Sequence, residues 1–536
     1  MQRVIVIGGG ATGAGVLWDL ALRGVPAMLV EQGDLVHGTS SRYHGLLHSG
    51  GRYAVKDPVS AAECAQENAT VRRIAPWAVE PCGGLFVQLE QDDRDYAHDW
   101  VKACRSASIS IQALDPVQLR HEEPGLNSRM YAAYRVPDAS VDGFRLVAGN
   151  VAAAQMHGAH TLTYHKVVGL LTENGRVSGV RVQNQHTGHM KVLEAELVIN
   201  AAGAWADRIT AMAGIHLDLV ADRGTLLVFH GRLTGQVINR LRPPGDGDIF
   251  VPAGSVTLLG TTAVPVGSPE ECEVPPDEVG ELLGLGAELL PAASSARVLR
   301  AFAGIRPLMK AKEEGASTRD LPRTFVVLDH EAEHGVAGLI SVLGGKLTTY
   351  RLMAERVVDL AVAKLGISAP CRTAVEPILP PPDPDAARRV TVLAGPERAE
   401  RIADRHPAGL GAVAAALAQP SGRQVICECE QVTAGELVAT ARALPNPSLS
   451  DLRRRTRLGM GTCQGAFCGY RAALVLAETG VVGAAGVAPL LRAFMDERWR
   501  GMASGVAGLG LRAAEMDYAL YAGPLQTPGD WGDTDA

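Results

Sequence analysis

Short, fully apolar runs set between glycine turns and helix-spaced segments dominate the chain and predict an α/β fold. Residues 3–7 read Arg-Val-Ile-Val-Ile, with no alternation of polar positions, the pattern of a strand covered on both faces. Gly8-Gly9-Gly10-Ala11-Thr12-Gly13-Ala14-Gly15 follows, then a segment with Leu17, Leu20 and Ala21 on one helical face, then a second apolar run at 27–30. This predicts strand, glycine turn, helix and strand. Further on, runs at 168–171 and 177–182 flank Asn174-Gly175, and Thr187-Gly188 precedes the run at 197–200, predicting a β-meander. Residues 225–229, 249–251 and 256–259, with turns at Pro243-Pro244-Gly245 and Ala253-Gly254, predict an antiparallel sheet. A last run, 338–343, enters a helix after Gly344-Gly345.

At 536 residues and 47% apolar composition, the chain predicts two or three domains around large cores. Its formal charge of −7 gives no reason to expect nucleic acid or an anionic membrane as partner. The N-terminus enters a strand at once, so no signal peptide is expected, and no apolar run reaches the ~18 residues of a membrane helix. Nine cysteines in that context imply a reducing compartment, where close pairs favour metal or redox chemistry over disulfides. Cys64, Cys82, Cys104, Cys272 and Cys371 are scattered and read as packed thiols.

The N-terminal motif is a dinucleotide fingerprint. Gly8 permits the turn, Gly10 lets backbone approach a pyrophosphate, Gly13 lets helix pack on strand, and Ala11 and Thr12 open the helix whose N-terminus faces the phosphates. Glu31, 18 residues beyond Gly13, ends the second strand where a carboxylate accepts ribose hydroxyls. The polar stretch that follows carries Ser40, Ser41, His44, Gly45 and His48 before Arg52-Tyr53, and resembles the second FAD contact of amino-acid-oxidase-like flavoproteins. Ala202-Gly203, ending the 197–200 run, and Gly344-Gly345-Lys346-Leu347-Thr348 are further segments expected to converge on FAD. A helix starting after Gly345 would direct N–H groups at the flavin ring. Arg306, in Gly304-Ile305-Arg306-Pro307, is expected in a Gly/Pro-bounded turn, where it joins Arg52 and Lys346 in holding an anionic substrate. No second strand-GxGxxG-helix unit occurs; Gly505 to Gly510 has neither the strand nor the acid.

Cys427 and Cys429, then Cys463 and Cys468, form two close pairs separated by 33 residues, a layout that suits an iron-sulfur cluster. Zinc is the competing occupant, although its sites usually show Cys-x2-Cys knuckles. Between the pairs, Arg453-Arg454-Arg455-Thr456-Arg457 reads either as a solvated helix face or as a group that tunes the cluster or docks an acidic partner.

Together the motifs resemble, over nearly the full length, the A (large catalytic) subunits of anaerobic FAD-dependent glycerol-3-phosphate dehydrogenases. Those carrying the resemblance include His44-Gly45-Leu46-Leu47-His48, Val136-Pro137-Asp138, Gly260-Thr261-Thr262, Gly304 to Pro307, Cys427-Glu428-Cys429-Glu430 and Glu497-Arg498-Trp499. The cysteine segment resembles [2Fe-2S] domains of the bacterioferritin-associated-ferredoxin type. The resemblance implies a Rossmann-like FAD-binding domain of the amino-acid-oxidase/glutathione-reductase type, interleaved with an antiparallel-sheet substrate domain, plus a small, mainly helical cysteine module. The expected bounds are 1–373 for the oxidoreductase unit, with FAD segments at 1–75, 145–215 and 325–370 and substrate segments at 76–144 and 216–324. A proline-rich linker at 374–385, the module at 386–475 and an extension at 476–536 follow, the last residues, 529–536, being expected to form a disordered tail.

It further implies oxidation of sn-glycerol 3-phosphate, a small phosphate substrate, with Arg52, Tyr53, Arg306 and Lys346 near it. Electrons would leave through the cluster to partner subunits and a quinone, on the cytoplasmic face of a membrane reached through a partner. Single-subunit aerobic relatives carry a Ser-His pair where this chain has Thr225-Leu226, which leaves the base open among His48, Arg306 and a water. Two other readings stay open: a related FAD-dependent amine or 2-hydroxy-acid dehydrogenase, and a non-catalytic assembly or sensor subunit holding zinc.

Overall fold

Val4, Ile5, Val6 and Ile7 form β1 (Val4–Ile7) and are all buried, because both faces of the strand are covered. Val4 and Val6 join a core with α1 (Ala11–Leu22) and the helix Tyr350–Lys364, whereas Ile5 and Ile7 pack on the other side against the 165–194 meander. A computed structural model describes residues 2–309, 324–507 and 509–522, so the tail expected at 529–536 lies outside the described residues. β1 sits between β2 (Ala27–Val30) and the strand Leu197–Asn200, paired in parallel with both. Leu339–Gly344 and Phe325–Asp329 extend that sheet on one side and His160–Leu162 on the other, with only Phe325–Asp329 antiparallel. The meander turns at Asn174 and Gly175, whose φ angles of 49° and 75° are those of a type I′ turn.

Two glycines set how closely α1 packs on β1. A Cβ on Gly13 would lie 1.9 Å from the Gly8 carbonyl oxygen, and one on Gly8, at φ +110°, would lie 2.5 Å from the Ala201 oxygen.

A second sheet, of nine strands among the described residues, draws on segments 84–136 and 219–309. Its long pair, Leu219–His230 and Val298–Met309, runs antiparallel and puts Asp222 opposite Arg306. Arg306 therefore lies within a strand, which corrects the expected turn. Among the described residues Val298–Met309 pairs only with Leu219–His230, so Pro307 removes no donor that a further described strand would need.

The proline-rich segment ends at the helix Pro384–Ala394, whose N-terminus is capped by the Asp383 side chain accepting from Asp385 N–H. Three helices over 384–417 share one apolar core. Residues 426–521 share another, in which Cys427 and Cys468 pack with Leu491, Phe494 and Tyr521. The helices Cys468–Glu478 and Val487–Ala503 thus belong to the core that carries the thiols. Tyr521 Oη also donates to the Ala466 carbonyl at 2.6 Å, between Cys463 and Cys468.

Candidate active site and cluster site

The turn after β1 delivers the backbone N–H groups of α1 to one point. Gly10 is the N-cap residue and offers no side chain, and the Ala11 N–H donates to Ser40 Oγ at 3.0 Å. Glu31, just past β2, accepts from Gly9 N–H at 2.7 Å and Gly33 N–H at 2.9 Å; burial raises its pKa against those two bonds. A cavity of about 530 Å³ runs from Ala11 and Thr12 past Ser40 and His44 to Gly203 and the 344–348 segment. Such a groove, with a helix N-terminus at one end and small residues along it, fits the phosphates and ring of a flavin dinucleotide. Of the expected cofactor residues, Gly8, Gly10, Gly13 and Glu31 build the turn beside that groove, and Ala202 adjoins Gly203. Ser41 and Gly45 face a different cavity.

At the far end of the groove stand Arg52, Tyr53, Arg306, Lys346 and His48. The Lys346 ammonium lies over the Tyr53 ring, 4.4 Å from its centroid. Arg52 donates to the Gly245 carbonyl at 2.9 Å and faces the buried Asp248 at 3.5 Å. Arg306 is held by Asp222, 2.7 Å away, by the Thr261 hydroxyl and by the Thr262 carbonyl. His48 N–H donates to Thr348 Oγ1 at 3.1 Å, tying the 44–48 segment to the segment carrying Lys346. Next to it, Asp138 accepts from Ser49 N–H at 2.6 Å and from the Asn239 amide at 3.0 Å.

Burial, helped by His44, Lys346 and Arg52, drives the His48 imidazolium pKa well below its ordinary value. His44 is pushed down to about 3 by burial and by Arg52 and Arg306. Both rings are therefore neutral at physiological pH, and they meet edge to face at 5.4 Å.

Sequence reasoning does not single out Asp222, Asp248 or Lys56, all of which bear on this end of the groove. Asp222 and Asp248 become legible only once strand register is known. Asp138 falls within the Val136-Pro137-Asp138 motif, but its grip on Ser49 emerges only from the fold.

The cysteines come from four positions in two segments. Cys427 closes the strand Val425–Cys427, Cys429 follows in the turn, Cys463 sits in a loop and Cys468 opens a helix. Cys468 hydrogen-bonds Cys427 and Cys463, and Cys463 also contacts Cys429. The bond from Cys468 lowers Cys463 to about 5 and Cys427 to about 7, while Cys468 itself is raised by the same bonds and Cys429 by burial. Backbone N–H groups of Gly465 and Phe467 also serve Cys463, and those of Gly459 and Glu430 serve Cys427. Among the described residues no three His, Cys, Asp or Glu side chains stand as a ligand group for one metal ion. Four thiols with amide donors around them suit an anionic iron-sulfur cluster that brings its own sulfides.

The arginine run between the pairs is neither a solvated face nor a patch for an outside partner. Arg454 and Arg455 pair with Asp34, at 3.2 and 2.7 Å, just beyond β2. Arg457 bridges Asp142 at 3.1 Å and Glu430 at 2.8 Å, joining the flavin domain to the residue that follows Cys429. Tyr164 adds a hydroxyl bond to Asp451 at 2.7 Å.

Fold and site together define an FAD-dependent oxidoreductase with an attached [2Fe-2S] domain. Residues 3–351 match the family described as FAD dependent oxidoreductase, and residues 425–478 match the BFD-like [2Fe-2S] binding domain. The second match selects the iron-sulfur cluster over zinc. The A subunit of the anaerobic glycerol-3-phosphate dehydrogenase of Escherichia coli strain K12 is 44% identical, over 97% of this chain and 96% of its own length. The Haemophilus influenzae protein of that description is 41% identical, over 97% of this chain and 93% of its own. Among solved structures, glycerol-3-phosphate dehydrogenase from Bacillus halodurans complexed with FAD shares the fold at TM-score 0.70 and 23% identity, covering 94% of this chain and 95% of its own. Glycine oxidase from Geobacillus kaustophilus aligns at TM-score 0.55 and 22% identity, over 69% of this chain and 99% of its own. This chain belongs to the family of anaerobic glycerol-3-phosphate dehydrogenase A subunits.

Proposed function

We propose that the chain oxidises sn-glycerol 3-phosphate at C2 to dihydroxyacetone phosphate and passes the electrons through the cluster to partner subunits and on to a quinone. The observation that carries this reading is the convergence of Arg52, Arg306 and Lys346 with a neutral His48 at one end of the flavin groove. The three cations hold the substrate phosphate and fix C2 against the acceptor. A ring nitrogen of His48 takes the C2 hydroxyl proton. Arg306, committed to Asp222 and Thr262, is unsuited to that role. The dianionic phosphate offsets Lys346 and Arg52, two of the charges that depress His48, and so strengthens the base as substrate binds. Bound FAD supplies the hydride acceptor.

The relatives' description as one subunit of an enzyme supports partner chains. So does an exposed apolar stripe beside the cluster: Phe467, Tyr470 and Leu474 lie three and four residues apart and are 66%, 39% and 38% exposed. Among the described residues no helix is long and apolar enough to cross a membrane, and attachment at a cytoplasmic membrane face would come through those partners.

Anaerobic addition of sn-glycerol 3-phosphate should bleach the flavin band and then produce the EPR signal of a reduced [2Fe-2S] centre. Bleaching by an amino acid or 2-hydroxy acid, with none by sn-glycerol 3-phosphate, would replace this substrate.

A further inference from the structure

A second cavity, of about 850 Å³, lies between the flavin domain and the cysteine module. It shares Arg42 and Tyr43 with the flavin groove, but Ala11, Thr12, Gly203 and the 344–348 segment, which line that groove, take no part in it. Its walls come from segments 37–45 and 141–144, the strand Val298–Met309, and the helices Leu449–Thr456 and Val487–Ala503. The volume is that of a cofactor-sized ligand.

Its charges do not balance. Six arginines line it, against the carboxylates of Asp142, Glu273, Asp496 and Glu497. Asp142 is already engaged by Arg145 and Arg457, and Arg454 by Asp34 and Asp451. Arg42 donates to Cys272 and Arg500 pairs with Glu497, which leaves Arg300 and Arg453, both close enough to Glu497 to act on its charge. Arg300 is 7% exposed, its Nε has no hydrogen-bond partner, and Glu497 is 3.6 Å from its Nη2. Its guanidinium packs directly on Gly501, where a Cβ would lie 2.3 Å from Nη2. Burial and Arg300 together lower Arg453 to about 9. A buried guanidinium with an idle donor beside a second cation is costly unless an anion completes the site. Phe144, Phe302, Trp499 and Tyr518 also line the cavity, the last two stacked at 5.1 Å and 19°.

We infer that this cavity is a second ligand site, for a phosphate monoester bearing a planar ring, of mononucleotide type. Its phosphate is held by Arg300 and Arg453 and its ring lies against the aromatic wall. The inference is independent of which substrate occupies the flavin groove.

The test uses the full-length, FAD-saturated protein, so that the dinucleotide site is closed to the probe. Acid extraction followed by mass spectrometry should release one phosphate ester besides FAD. If the site empties on purification, equilibrium dialysis should instead show saturable AMP binding that inorganic phosphate displaces, with adenosine bound at least about tenfold more weakly. Arg300→Gln and Arg453→Gln should each weaken AMP binding about tenfold or more, with FAD and iron contents unchanged. Neither an extracted ester nor saturable AMP binding would overturn the inference, as would variants that bind AMP like the parent. Should both variants lose FAD or iron, competition between AMP and phosphate on the parent decides: displacement supports the site, and its absence overturns it.

Discussion

Arg306 and Asp222 face each other across two antiparallel strands, Nη1 to Oδ2 at 2.7 Å, with the carboxylate fully buried. The pairing aims the guanidinium into the groove and denies it the freedom of a surface side chain. Asp222→Asn should therefore raise KM for sn-glycerol 3-phosphate about tenfold or more while changing kcat little, since the lost element positions a binding group. Breaking a buried pair also costs about 3 kcal/mol of stability, which chemical denaturation would register. An unchanged KM would remove Arg306 from phosphate binding.

His48→Asn should lower kcat by about 10²- to 10⁴-fold with FAD content retained, the range for loss of a general base. Because the free-enzyme pKa of His48 lies well below the ordinary 6.5, the acid limb of kcat/KM should fall below that value. A limb at or above 6.5 would assign the base elsewhere.

His44 carries a stability signature. Its folded pKa is near 3 against 6.5 for an unperturbed histidine, so as pH falls below about 6.5 the unfolded chain takes a proton that the folded chain refuses. The associated stability is fully present above 6.5 and is lost progressively as pH falls toward 3. Denaturant titrations between pH 6.5 and 4.5 should show a slope smaller by up to about 1.4 kcal/mol per pH unit in His44→Asn than in the parent. Equal slopes would contradict the buried, neutral assignment.

Cys463→Ser should abolish iron and acid-labile sulfide without preventing substrate from bleaching the flavin, which separates hydride acceptance from electron exit. Arg457→Ala is the subtler counterpart. It should leave flavin reduction intact in stopped-flow measurements and slow the appearance of the reduced-cluster EPR signal, because Asp142 and Glu430 lose their common partner.

Phe467→Glu, on the exposed stripe, should leave dye-coupled activity unchanged and impair electron delivery to the partner subunits. Equal impairment of both assays would point to a damaged cluster instead.

The nucleotide turn is legible from sequence because much of its physics is local: Gly8 is required by its φ of +110° and Gly13 by its contact with the Gly8 carbonyl. The four cysteines are legible for a related reason, their chemistry being carried by residue type and spacing. Around Arg306, Gly304 and Pro307 look like the punctuation of a turn, and only pairing over some eighty residues makes that stretch a strand. The arginine run misleads in the same way. Five consecutive residues reveal a charge, but not that Asp34 and Asp142, more than three hundred residues earlier, will meet it. Burial of the histidines is likewise a property of the assembled walls.

The hydroxyl of Tyr521 grips the loop that carries Cys463 and Cys468, more than fifty residues before it. In biosynthetic terms, ligand geometry is thereby completed late. A chain still being translated has its whole flavin fold and all four thiols in hand before the helix Leu509–Ala522 emerges to tether the thiol pocket. Cluster insertion should then lag behind flavin binding, and a protein clipped near residue 510 would keep its flavin chemistry while losing its electron outlet.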